Sequence, residues 1–218
     1  MFRRVLLKHV VAALSALTLG ATAVPAAAAD NVTPRVDVVK VLSLSCPVCR
    51  AAEAHDTAIA QAVAEAGGRF VFAPVPTDPD AVAGARERVY YAARDLAPEL
   101  ERSVKFSLYK GSQDMSVPLN DYLQVYTWLS SDLPELEPRF NAIFQRAQEN
   151  AAGASLARAA RLASAAGVSS LPGYVLLVNG QVAALLDPSA VPGENLIALR
   201  DEVIARVRKL SNAKAVSR

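Results

Sequence analysis

The 218-residue chain has two cysteines, and both lie in one short stretch, Ser45-Cys46-Pro47-Val48-Cys49. No cysteine remains to staple distant parts of the fold, so stability has to come from a hydrophobic core and the pair is free for chemistry. The surroundings of the pair narrow the fold further. Val36-Asp37-Val38-Val39-Lys40-Val41-Leu42 is short, β-branched and almost wholly apolar, the pattern of a strand buried on both faces. Pro47 stands where a first-turn helix residue would, and the alanine-rich stretch Cys49 to Ala66, with Ile59 and Val63 four apart, reads as a helix that begins at the motif and ends at Gly67-Gly68. Arg69 to Val75 is a second strand. Strand, helix, strand in that order is a βαβ unit, with the cysteines at the C-terminal edge of the first strand, where open α/β sheets carry their sites.

From Asp78 to Gly167 the pattern is helical, with breaks expected at Pro98, Gly111, Pro118, Pro134 and Gly153. Four apolar faces are expected there: Val82, Ala85 and Val89; Leu100 and Val104; Leu119, Leu123 and Tyr126; and Leu136, Phe140, Ile143 and Phe144. Four or five short helices follow from this. Gly173 to Val178, Asn179-Gly180 and Gln181 to Leu186 form a hairpin with the strongest short turn signal, Asn-Gly. An amphipathic helix, Glu194 to Leu210, carries Leu196, Leu199, Val203 and Val207, and the polar tail from Ser211 is expected to fray.

The N-terminus reads as a secretory signal. Arg3, Arg4 and Lys8 form a basic start, Val10 to Val24 an apolar run, and Ala26 to Ala29 a small-residue cleavage site, so residues 1–29 are expected to be removed. The apolar stretch is short of the roughly 20 residues that cross a bilayer and contains Ser15, Thr18, Gly20 and Thr22. Loss of this segment lowers the basic count from 23 to 20, against 21 acidic residues. A near-neutral surface with no basic run gives no electrostatic case for nucleic acid or anionic membrane as partner. A soluble protein exported to the periplasm is implied.

At the head of a helix the first sulfur of a C-x-x-C meets unsatisfied backbone N–H groups and the positive end of the dipole, both of which favour thiolate. Cys46 is therefore the candidate nucleophile. Cys49, one turn further in and more buried, is the candidate resolving thiol. A zinc site is the metal-binding rival, but His55 is the single histidine of the mature chain beside the two thiolates and carboxylates, which leaves four-ligand zinc short of ligands, and no metal is expected. An inert structural bridge is the plainer alternative. His55 should point away from the pair on helical spacing. Tyr122 and Tyr126 read as core packing, and with Trp128 they stay outside the site. Pro172, just before a strand, is either an ordinary strand-start proline or part of the site.

Taken together, the strand into Cys46-Pro47-Val48-Cys49, the helical insert, and the run from Gly167 through Leu171-Pro172 to Asn179-Gly180 resemble the DsbA-like branch of the thioredoxin superfamily. The resemblance covers the mature chain and implies an α/β, thioredoxin-like fold formed by residues 30–77 and 168–218, with an inserted helical subdomain over 78–167. It implies a cis Leu171–Pro172 bond facing the cysteines, so that the backbone of Leu171 pairs with an extended substrate segment and its side chain tunes partner choice. No cofactor is required. The expected partners are cysteine-containing exported proteins and a membrane redox protein, and a monomer is expected because no dimerisation segment precedes the first strand. Oxidation of exported proteins is the leading direction. A reductase or isomerase, and a non-catalytic binding or chaperone-like module, are the alternatives.

Two positions depart from the family. Val48 stands where its strongest oxidants carry histidine, so a weaker oxidant is expected. Lys40 stands where thioredoxin-like proteins commonly carry a buried acid. Three readings are open for Lys40: stabilising a thiolate, acting as a neutral base, or snorkelling out of the strand.

Overall fold

The computed structural model describes residues 34–77 and 84–213. The expected signal segment, Val82 and the end of the polar tail lie outside these residues. Four strands, β1 (Val36–Leu42), β2 (Phe70–Pro74), β3 (Gly173–Val178) and β4 (Gln181–Leu186), form one sheet in the order β2-β1-β3-β4. β1 runs parallel to β2 and antiparallel to β3, and β3 pairs with β4 in the hairpin expected from Asn-Gly. Asn179 and Gly180 have φ of 51° and 83°, the left-handed pair required by a two-residue turn matching strand twist.

β1 is central and buried on both sides, and its alternation divides the core. Val36 and Val38 pack with Ile59 and Val63 of α2 (Glu53–Glu65) and with Leu199, Val203 and Val207 of α8 (Leu196–Ser211). Val39 and Val41 face the other way, into a core shared with Val89, Tyr91, Val104 and Leu108 of the helical segment. Burying each such side chain stabilises the fold by roughly 1.5–3 kcal/mol. By the period of two, Lys40 belongs to the Val36–Val38 side, facing α2.

The helix at the motif is divided at Ala52 into α1 (Pro47–Ala51) and α2. Between β2 and β3 lie α3 (Ala85–Leu96), α4 (Glu101–Tyr109), α5 (Tyr122–Asp132), α6 (Phe140–Gln148) and α7 (Asn150–Ala166). Among the described residues no helix is long and apolar enough to cross a membrane.

The structure corrects four expectations. Gly153 does not break a helix but lies inside α7, because the Arg88 guanidinium packs where a Cβ would stand, 2.8 Å from Nη1. Arg88 in turn donates to the carbonyls of Ala147 and Glu149 at the end of α6 (2.7 and 2.9 Å). Gly111 likewise sits within a wide π-helical turn, Lys110–Asp114, pressed against the Trp128 indole. Leu119, Leu123 and Tyr126 share no buried face: Leu119 precedes α5, and Leu123 is 74% exposed. The expected start of α8 moves to Leu196, since Asn195 Oδ1 caps the N–H groups of Ile197 and Ala198.

Candidate active site

β1 ends one turn short of Cys46, which takes extended geometry (φ −89°, ψ 114°) and caps α1 with its sulfur. The Cys49 N–H donates to Cys46 Sγ at 3.1 Å, and Pro47 occupies the first helical position, where no N–H is needed. Both cysteines are free thiols. Cys46 is half-buried, whereas Cys49 is wholly buried. The Cys49 thiol donates a hydrogen bond to Cys46, and with the N–H groups of Cys49 and Val48 and the charge of Lys40 it outweighs burial and brings the Cys46 thiol down to about 6. The same bond, together with burial, pushes Cys49 far above the usual thiol range. One sulfur is thus poised as thiolate and its neighbour held as thiol.

The Leu171–Pro172 bond is cis, and the Leu171 carbonyl oxygen lies 4.0 Å from Cys46 Sγ. Pro172 is buried. Val48 is 44% exposed at the front of the pair. The turn Lys110–Asp114 fastens the helical segment to this edge. Ser112 Oγ and Gln113 Nε2 donate to the Leu44 carbonyl (2.9 and 3.3 Å), and Asp114 holds Arg50 of α1 in a two-pronged ion pair.

Lys40 does not snorkel. Its side chain is fully buried, with Nζ 2.9 Å from both Asp56 carboxylate oxygens, 3.2 Å from Glu53 Oε1 and 3.5 Å from the Cys49 carbonyl oxygen. It stays inside because α2 brings two carboxylates to it, which answers the cost of burying a lone ammonium. Lys105 of α4 completes a quartet, 2.6 Å from Glu53 Oε2 and over the Phe72 ring. Burial raises Asp56 to about 6 against the pull of Lys40, and burial pulls Lys105 down against its carboxylates.

No family model and no curated protein sequence matches the chain. Solved structures do. DsbA of Pseudomonas aeruginosa superposes with a TM-score of 0.60 at 18% identity, covering 80% of this chain and 85% of its own. NmDsbA1, an oxidoreductase of Neisseria meningitidis, gives 0.61 at 13% identity over 82% and 86%. Proteus mirabilis DsbA, solved with a non-covalently bound peptide PWATCDS, gives 0.59 at 14% over 82% and 89%. The fold is that of the DsbA proteins.

On this DsbA fold, Cys46, Pro47, Val48, Cys49, Leu171 and Pro172 converge at one sheet edge, and Lys40 lies behind Cys49 rather than among them. His55 is partly exposed on α2. Tyr126 packs edge-on against Phe140 and Phe144 but is 38% exposed, so it borders the core rather than lying within it as expected, and the Trp128 indole donates to the Ser107 carbonyl at 2.9 Å. Sequence reading missed Glu53, Asp56 and Lys105. Glu53 and Asp56 follow Cys49 by four and seven positions, a shared helix face that was available as a signal. Lys105 carried no such signal.

Proposed function

We propose that the protein is an exported thiol-disulfide oxidoreductase that oxidises dithiols in exported, cysteine-containing proteins of the periplasm. The single observation that carries this is the asymmetry of the pair: a half-exposed Cys46 sulfur lowered to about 6, beside a buried Cys49 held as thiol. A stabilised thiolate favours the reduced protein, so its disulfide tends to pass to a client.

In the oxidised protein a client thiolate attacks Cys46 Sγ. The Cys46–Cys49 bond breaks, a Cys46–client disulfide forms, and Cys49 leaves as thiolate. A second client thiolate then attacks the client sulfur and releases Cys46 as thiolate. The client loses two electrons and the protein gains them, to be withdrawn by a disulfide-donating membrane partner. The Leu171 carbonyl oxygen, 4.0 Å from the Cys46 sulfur, would accept from the backbone of an extended client segment, and Proteus mirabilis DsbA, which carries a non-covalently bound peptide, supports a peptide as occupant of such a fold. Neither metal nor organic cofactor enters these steps.

Equilibration of the purified protein with a glutathione series, followed by acid trapping and mass measurement, should show a reversible Cys46–Cys49 disulfide. Cys46→Ser should abolish oxidation of a reduced client peptide. Undiminished client oxidation by Cys46→Ser would sink the proposal. Thiol trapping of the protein as isolated distinguishes an oxidase, recovered as disulfide, from a reductase or isomerase, recovered as dithiol.

A further inference from the structure

The loop between β1 and the cysteine helix carries a ring of three hydroxyls that the exchange steps do not use. Ser43 Oγ lies 2.8 Å from Thr77 Oγ1 and 3.0 Å from Ser45 Oγ, and Ser45 Oγ lies 3.4 Å from Thr77 Oγ1. Ser43 is fully buried, Ser45 partly so, and Thr77 is exposed. A buried hydroxyl has to find its partners within the protein. Ser43 finds them in its own loop and in one residue 34 positions further along the chain.

Ser43 also shapes the loop. Its Oγ accepts the Ser45 N–H at 3.3 Å, a side-chain turn, and its carbonyl accepts the Cys46 N–H at 3.1 Å, a backbone turn over the same residues. Both bonds are internal to residues 43–46, so neither ties the loop to the rest of the fold. The helical segment supplies one outside hold, where Ser112 and Gln113 donate to the Leu44 carbonyl. Thr77 supplies another. Its segment continues β2 and is still paired with β1, through the Val75 N–H and the Leu42 carbonyl at 2.8 Å, so Thr77 hangs from the sheet.

Cys46 follows the ring directly, and its sulfur takes the Cys49 N–H at 3.1 Å. Hydrogen bonds weaken steeply as they bend or lengthen, and a reacting group has to be held within about 0.5 Å of its working place by residues around it. We propose that Thr77 is a positioning residue for Cys46: its hydroxyl, bonded to Ser43 Oγ, pins the turn Ser43–Cys46 to the sheet and so keeps the Cys46 sulfur on the Cys49 N–H. The inference rests on the oxidoreductase reading above. Thr77 acts through Ser43 and not on the sulfur itself.

The test compares Thr77→Val, which keeps the shape of the side chain and removes the hydroxyl, with Thr77→Ser, which keeps the hydroxyl. Cys49 titrates far above Cys46, so ultraviolet thiolate absorbance between about pH 4 and 9 reads Cys46 alone. In Thr77→Val that titration should move up by about half a pKa unit, because the sulfur loses part of one hydrogen bond, and in Thr77→Ser it should stay in place. The equilibrium of Thr77→Val with glutathione should shift about threefold toward the disulfide near pH 7.5 and hardly at all near pH 5, where Cys46 is protonated in both proteins. A hydroxyl that served stability alone would lower the melting temperature and leave both readouts where they were. An unmoved Cys46 titration in Thr77→Val overturns the assignment, and so does a Thr77→Ser protein that titrates as the valine variant does. The titration needs no exchange activity. Failure of the unmutated protein to exchange with glutathione would remove the oxidoreductase reading, while the titration still decides whether Thr77 positions the sulfur.

Discussion

The two sides of the helix that carries Cys49 handle charge in opposite ways. In front, the negative charge of Cys46 is spread over backbone N–H groups and one thiol donor, at a sulfur that water reaches. Behind, Lys40, Lys105, Glu53 and Asp56 neutralise one another out of contact with water, apart from a partly exposed Glu53. Hydrogen-bond donors allow the front to gain and lose a charge in each cycle at small cost. The ion pairs behind tolerate the loss of a lysine far less, since removing one leaves a buried carboxylate without its partner.

That contrast predicts its largest effect behind the site. Lys40→Met leaves Glu53 and Asp56 sharing Lys105 alone and should cost on the order of 3–5 kcal/mol, read as a lower urea midpoint. Lys40→Met with Asp56→Asn should recover part of that loss. Additive losses in the pair would show that the quartet is not the mutually neutralising unit described here. Because Lys40 also lowers Cys46, the Cys46 titration should rise modestly in Lys40→Met.

The next effect sharpens the contrast through pH. Cys46 in the folded, reduced protein titrates near 6, below an unfolded thiol at about 8.5, so its contribution is fully present above about pH 8.5 and is lost as pH falls through 6. Asp56 runs the other way. Its folded value of about 6 exceeds the unfolded value of about 3.9, so its contribution is full below about pH 4 and is lost as pH rises to 6. The disulfide form has no thiol to titrate. The stability of the reduced protein relative to the oxidised should therefore climb between pH 6 and 8.5, by about 2 kcal/mol once solvent screening of the half-exposed sulfur is allowed for. Parallel urea melts of the two forms at pH 5.5, 7 and 8.5 measure it. A constant difference would mean that Cys46 is not held as thiolate.

The same contrast separates what the sequence carried from what it hid. The βαβ start, the Asn179-Gly180 hairpin and the cysteine cap are specified by neighbouring residues, and each appears where the local pattern put it. Apolar periodicity in the helical segment says that a face exists but not which neighbour covers it, which is how exposed Leu123 came to be grouped with buried Leu119. Gly111 and Gly153 read as breaks because their purpose is room for Trp128 and Arg88, residues distant in sequence. Lys40 stayed ambiguous for a related reason. Its burial depends on Glu53 and Asp56, readable by helix spacing, and the quartet also needs Lys105, which the fold alone delivers.

The smallest predicted effect lies at the front, where it tests whether donors alone set the thiolate. Val48 offers Cys46 its N–H but no charge, and its side chain is 44% exposed. In Val48→His, an imidazolium at that place would lower Cys46 by about one further pKa unit, little enough because water screens it. At pH 6 a shift of that size raises the reduction potential by about 20 mV, measured against glutathione, and makes the protein a stronger oxidant. The gain should fade as pH rises past 7, since the imidazole loses its proton near 6.5 while the N–H donors do not titrate. A potential unchanged at pH 6 would mean that the backbone and the Cys49 thiol already hold the charge as fully as the site allows. A gain that persists at pH 8 would point instead to a neutral imidazole N–H donating to the sulfur, one more hydrogen bond of the kind the front already uses.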